Sequence, residues 1–469
     1  MSKIKITFVL ITLFSSVSVF SQRNFTLYNM KTTPQAINVN PSFMPKAKLY
    51  ISLPIGMVDF GISNSAFSFN TLFKKRADDS LAIDAQGVID GLKTLNYFSV
   101  ESNNELFGLG FKFKGFYLNF NTTLKSRFNF VYPKDLIQFA FEGNGKNFLD
   151  KRVSLDGLSL NLSTYMEYAF GASKEINDKL TVGGRLKIIS GFANVTTKST
   201  ELGIYTDPTT FALTIDGSAE INSSNAFYFA FDSVNPVGPK VFTNAAKSSL
   251  YNFANKGFGV DLGATYELSD KLSVNASVID LGSISWSSNV SNLKTNDINY
   301  TFDGIDLNQF LNDTAAKPLD RLTDTLVKVF DYEENNTKYS TSLNTKIYLG
   351  ANYNFTKSVN AGALLFNEFI GGKYRAGFSL SMNTTLKKWL VASVSYTMYN
   401  GSFSNIGLGL SMNAGPMQFY IITDNVLSFV NPFNARNVHL CGGISFALKG
   451  KDKKKDEKEK ATETEIKAK

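Results

Sequence analysis

Apolar and polar residues alternate along most of this chain with the period of a β-strand. In NIGLGLSMN, Ile406, Leu408, Leu410 and Met412 take every second position, and Gly407, Gly409 and Ser411 lie between them. Strand side chains point alternately to opposite faces, so one face is wholly apolar and the other small and polar. The pattern recurs from Leu158 to Glu167, Val260 to Leu268, Ile347 to Phe355, Ala376 to Asn383 and Leu390 to Met398. Several runs approach the roughly ten residues that a transmembrane strand needs, beyond the about five or six usual in soluble sheets. A soluble sandwich would need a second layer over each apolar face. A barrel in lipid needs none, and its interior suits Gly, Ser and Asn. Trp286, Trp389 and Tyr399 lie near strand ends, where aromatic girdles are expected.

The turns follow the same plan. EINDKLTV (residues 175–182) and ELSDKLSV (267–274) are near copies, each a polar turn between alternating runs. Centring the first on Ile176 places Glu167 opposite Arg185 and Tyr165 opposite Lys187. A two-residue loop at Ala414-Gly415 places Met412 opposite Met417 and Gly409 opposite Tyr420. Helical spacing occurs at Leu81, Ala85, Val88, Ile89, Leu92 and Leu95, and again from Leu319 to Phe330 after Pro318. These short helices belong to long loops that cover strand ends or plug one mouth.

The predicted fold is therefore all-β: a transmembrane antiparallel outer-membrane barrel of about 14 strands, within a range of about 12–16, with short helices in long loops. Chain ends complete the plan. Lys3 and Lys5, the apolar run Ile6–Phe14 and Ser21 read as a signal peptide over residues 1–21. Residues 22–47 form a periplasmic, hatch-like segment, and 48–449 the barrel. The mixed-charge residues 450–469 form a disordered periplasmic tail. The short turns then lie on the periplasmic side, and the segments near 289–339 and 424–436 on the outer side.

Composition removes several alternatives. The 469 residues include 41 Phe but only 19% charged residues, so there is ample apolar surface to bury. Mean hydropathy is −0.08, which alternation explains without a long apolar helix. The net charge of +8 is dispersed, and nucleic acid is not an expected partner. Cys441 is the only cysteine, so no intrachain disulfide forms. One histidine and one cysteine do not supply a zinc site, and no phosphate-binding loop precedes a helix. His439 would have to serve any Ser-His-Asp triad, but no nucleophile elbow surrounds a serine. No enzyme activity and no cofactor are expected.

Parity places Glu167, Arg185, Lys187, Asp261, Glu267, Lys373, Arg375 and His439 on the inner face. They either line a polar conduit or pair across strands and fill the barrel. INVNPSFMPKAKLYISLP (37–54), with its Asn-Pro-small element, resembles the beginning of Bacteroidota outer-membrane barrels. Residues 257–286 and 423–446 are similar to PorP/SprF-like proteins, and the best resemblance is to a related Bacteroidota barrel family of unknown function. The Asn-Pro element also resembles PorV-like and FadL-like barrels. The resemblance implies a surface barrel associated with type IX secretion, with outer-membrane lipid and periplasmic or secretion-machinery proteins as partners. The expected function is thus an accessory or docking component of a surface assembly. A FadL-like channel for small or hydrophobic compounds is the alternative.

Overall fold

The computed structural model describes residues 24–449 apart from 32, 146, 226, 229–239, 242–252, 296, 303–331, 371, 388 and 400–401. The signal peptide, the charged tail and the helical spacing at 319–330 lie outside the described residues.

Fourteen antiparallel strands close into a barrel. β1 has two arms, Ala47–Ser52 and Met57–Asn64. Then come β2 (Leu95–Phe113), β3 (Phe116–Pro133), β4 (Ser159–Glu175) and β5 (Leu180–Thr206). β6 (Asn255–Glu267) and β7 (Leu272–Trp286) follow, with β8 in two pieces, Tyr339–Ser342 and Lys346–Asn354. β9 is Val359–Ile370, β10 Lys373–Lys387 and β11 Leu390–Tyr399. β12 is Ser402–Ala414, β13 Met417–Thr423 and β14 Asn437–Lys449. Both arms of β1 pair with β14 and with β2, which closes the cylinder. Beyond the barrel, β5 continues into an outer sheet with Leu213–Ser224, which pairs in turn with Val290–Thr295 and Ile298–Phe302.

Alternation is inverted relative to a soluble protein. On β12, Leu408, Leu410 and Met412 are exposed while Gly407, Gly409 and Ser411 are buried. Ile188 on β5, Leu380 on β10 and Val394 on β11 are likewise exposed, and Ser379, Ser381, Ser393 and Ser395 are buried. This is a lipid-facing belt around a polar interior. Trp389 belongs to the outer face, at 42% exposure. Trp286 and Tyr399 do not: both are buried, and the Trp286 indole N–H donates to Thr341 Oγ1 at 2.8 Å. They pack inside instead of forming a girdle.

The β2–β3, β4–β5, β6–β7, β8–β9, β10–β11 and β12–β13 turns lie at the end where β1 begins and β14 finishes, whereas β9–β10 and β11–β12 are joined by short connections at the other end. The two near-copy turns fold alike. Asn177 Oδ1 accepts from the amides of Lys179 and Leu180, and Ser269 Oγ does the same for Lys271 and Leu272. The first of these four-residue turns centres two residues later than predicted, which moves each facing residue four positions along the opposing strand. Glu167 faces Ile189, and Arg185 faces Gly171. Likewise the β12–β13 turn is Gly415-Pro416, so Met412 faces Phe419, and Tyr420 faces Ser411 rather than Gly409. A slip by an even number of residues preserves faces, which is why parity survives where pairing does not.

Helices stay in the loops and the lumen. α1 is Phe25–Asn29, followed by a 3₁₀ turn at Pro34–Asn38. α2 (Phe69–Leu72) and α3 (Ala85–Gly91) connect β1 to β2, and α4 (Lys134–Glu142) follows β3. α5 (Leu427–Val430) links β13 to β14. Leu81, expected in a helix, instead starts the short strand Leu81–Ile83. Val88 and Leu92 pack with Ala66 and Tyr132 over the outer end of β2 and β3.

Candidate functional site

The barrel encloses its own N-terminal segment. Residues 24–31 and 33–45 run through the lumen, and Phe25, Leu27, Tyr28, Met30, Val39 and Phe43 are buried against the inner wall. Phe25 meets Phe366 edge-on at 5.1 Å, and Tyr28 stacks on Tyr348 at 5.0 Å. The wall has small residues where this plug comes closest. A Cβ on Gly183 or Gly263 would overlap Pro41 or Asn40, and one on Gly409 would overlap the Met30 sulfur. The Gly/Ser face of the alternating strands therefore has a structural cause. Asn40-Pro41-Ser42 is held there by hydrogen bonds. Asn40 Oδ1 accepts from the Ser42 amide at 2.9 Å, Ser173 Oγ donates to Pro41 O at 2.5 Å, and Ser277 Oγ donates to Val39 O at 2.6 Å.

The plug is tied down at its start. Asp424, just after β13, accepts the amides of Phe25 and Thr26 at 3.0 and 2.7 Å, the first unpaired donors of α1. Asp59 accepts from Asn24 Nδ2 and Asn103 Nδ2, both at 2.9 Å. His439 stands between the two carboxylates. Its Nε2 is 2.9 Å from Asp59 Oδ1, and its Nδ1 is 3.4 Å from Asp424 Oδ2. Both ring nitrogens face carboxylates, so neither is placed to activate a serine hydroxyl.

Opposite the plug, β2–β8 carry a buried ionic network. Lys125 pairs with Glu167 at 2.6 Å and with Asp280 at 3.1 Å. Lys187 pairs with Asp261 at 2.6 Å, Asp280 at 2.5 Å and Glu167 at 3.5 Å. Arg185 pairs with Asp261 at 3.2 Å and donates to Asn121. Arg127 bridges Glu101 and Asp280 at 3.1 and 3.0 Å, and Lys346 joins Glu101 at 3.0 Å. Glu105, which accepts from Tyr50 and Ser52, is linked to Arg185 through Asn121. In this network five cations (Lys125, Arg127, Arg185, Lys187, Lys346) meet five carboxylates (Glu101, Glu105, Glu167, Asp261, Asp280), so the formal charges cancel. Between the plug and this wall remains a space of about 40 Å³, room for a few waters at most.

Glu167 and Arg185 both belong to this network, but each has other partners in place of the direct pair expected from the turn. Lys187 and Asp261 lie at its centre. Arg375 is buried over the Tyr97 ring at 3.6 Å and donates to Ser99 and Asn129. Glu267 is exposed at the short-turn end of β6. Lys373 opens β10, and its side chain lies outside the described residues. Asp280, which meets three cations, was not anticipated. It occupies a β-bulge: Val260 faces Leu281 and Leu262 faces Val278, so Ile279 and Asp280 both turn inward. A signal was present, since the apolar phase of Val274, Ala276 and Val278 switches at Leu281.

Together these features define a plugged transmembrane β-barrel. The chain belongs to the family of unknown function DUF5723, whose profile matches residues 41–424. No curated protein sequence matches it. Among solved structures, it is similar to the Pseudomonas putida toluene transporter TodX at TM-score 0.41 and 10% identity, covering 92% of this chain and 100% of that one. A Pseudomonas aeruginosa FadL homologue is similar at TM-score 0.40 and 8% identity, covering 92% and 99%. The Ralstonia pickettii toluene transporter TbuX is similar at TM-score 0.40 and 9% identity, covering 88% and 94%. Cargo and mechanism do not carry over at this level of likeness.

Proposed function

We propose that this protein is an outer-membrane barrel kept closed by its N-terminal segment, and that it works as an accessory or docking component of a cell-surface or secretion assembly. One observation carries the reading: the plug and the self-neutralised ionic wall leave about 40 Å³ between them. Charges that line an ion pathway would face open water and favour one sign. These instead pair with one another across strands, as structural groups do. The link to secretion rests on the sequence resemblance to PorP/SprF-like barrels. The test is native purification from membranes with crosslinking, together with conductance of the purified barrel in a planar bilayer. A stoichiometric protein partner and a silent barrel are expected. Steady solute flux with the plug in place would overturn the reading.

A second reading is a channel for small hydrophobic compounds. It is favoured by the wall behind the plug, where Tyr348, Leu364, Phe366, Tyr399 and Ile422 point inward. Displacement of the plug would uncover this aromatic surface. Uptake of a hydrophobic dye into vesicles containing the intact barrel would favour the channel.

A further inference from the structure

β13 has seven residues, fewer than the roughly 9–11 that a transmembrane strand requires. Its neighbours are longer. β12 pairs with β13 only over Leu408–Ala414, and β14 pairs with it only over Cys441–Phe446. Above that level, residues 402–407 of β12 and 437–440 of β14 border a place that β13 does not reach.

The chain after β13 bridges this place. The Val426 amide donates to Ile406 O at 2.6 Å, and Asn425 Nδ2 donates to Asn437 O at 2.8 Å. One border residue on each neighbouring strand is thereby paired. The segment then closes its own backbone bonds, from Phe429 N to Val426 O at 3.0 Å and from Asn431 N to Leu427 O at 2.8 Å. Self-satisfied backbone is what a lipid-facing segment requires.

Its side chains have the polarity of the barrel strands rather than that of a soluble loop. Asp424, Asn425 and Ser428 are buried, with Ser428 Oγ donating to Asn425 O at 2.5 Å. Leu427, Phe429 and Val430 are 41%, 50% and 77% exposed. Phe403 on adjoining β12 is 65% exposed, and Phe433 packs on Phe69 of α2 at 5.1 Å. An apolar surface of this kind marks an interaction face, and here it continues the lipid-facing belt of β12 and β13.

We propose that residues 424–434 are part of the membrane-spanning wall, and that α5 seats Leu427, Phe429 and Val430 among the lipid acyl chains of the outer leaflet. The inner side of the same segment carries Asp424, which holds the first amides of the plug. The wall panel thus has lipid on one side and the plug on the other.

The test uses the full chain in phosphatidylcholine vesicles, with a nitroxide attached at Val430→Cys and, separately, at Phe429→Cys. Cys441 is buried and stays in place; unsubstituted protein is the labelling blank. Leu410→Cys on the belt and Asp78→Cys in the α2–α3 loop are the references. Collision with dissolved oxygen, which concentrates in lipid, is compared with collision with a neutral nickel chelate, which stays in water. Oxygen is expected to relax the Val430 and Phe429 labels several-fold more than nickel does, as at Leu410. Nickel dominance, as at Asp78, would place α5 in water and overturn the proposal. Low collision with both would show a second copy of the chain covering the surface, and would also overturn it. Either site alone is informative if the other variant fails to fold.

Discussion

Asp280 holds a left-handed backbone conformation, φ 59°, which aspartate tolerates better than most side chains. That geometry aims one carboxylate at Lys125, Arg127 and Lys187. Asp280→Ala leaves three buried cations short of an acceptor, and the expected loss of unfolding free energy in vesicles is about 3–5 kcal/mol. Asp280→Asn keeps a polar partner and an allowed backbone, so a smaller loss is expected. Equal losses for the two variants would indicate that the charge, which both remove, sets the cost rather than backbone geometry, which only the alanine disturbs. Gly183 illustrates a different constraint. A Cβ there overlaps the Pro41 carbonyl, so Gly183→Val should push the Asn40-Pro41-Ser42 turn off the wall while the barrel stays closed. Faster thiol labelling of Ser42→Cys in the Gly183→Val chain checks this; an unchanged rate would mean that the wall, not the plug, gives way. Alternation alone sets the parity of Glu167, Lys187 and Asp261. It carries no information about which cation meets which carboxylate, because those pairs depend on strand stagger. Asp280 escapes alternation altogether, since a single inserted residue reverses the phase on either side of it.

Elements were legible where they obey the strand period and obscure where they break it. The hairpins β4–β5, β6–β7 and β12–β13 stand out in the sequence, and their turn chemistry decides only the exact register. Asn177 and Ser269 each cap two amides, a detail that lengthens the turn, and at the β4–β5 turn it moves the facing residues by four. The early end of β13 is harder to see, because Ile421 and Ile422 continue the apolar run up to Thr423-Asp424-Asn425. Its role depends on α1, almost 400 residues away in the chain, and no local pattern carries that contact. β14 is the opposite case. Its pairing with β1 runs from Asn437 opposite Ser63 to Lys449 opposite Ala47, so ring closure is complete at residue 449. Removing residues 451–469 is therefore expected to leave a heat-modifiable folded band on a cold gel. Its loss would show that the charged tail takes part in closure.

At the scale of the whole molecule, the lumen has two unlike halves that the plug holds together. One half is the neutral ionic network on β2–β8, and the other is the apolar wall reached by Phe25 and Tyr28. Fourteen strands fall between the small barrels that side chains fill and the 16–18-stranded ones that leave an aqueous channel. Whether this barrel is open therefore depends on what occupies it, and residues 24–31 and 33–45 fill the space that strand number leaves. Deleting residues 24–45 while keeping residues 1–23 should open a path in a barrel that otherwise folds, because ring closure uses only β1–β14. The intact barrel is expected to be silent in a planar bilayer and the deleted one to show steady conductance. Five cations and five carboxylates would line one side of the opened lumen without a dominant sign, so the reversal potential in a salt gradient should show little preference for cations or anions. A strong preference would mean that the network rearranges once the plug is gone. A silent deletion variant that still folds would mean that the ionic wall itself, rather than the plug, closes the lumen.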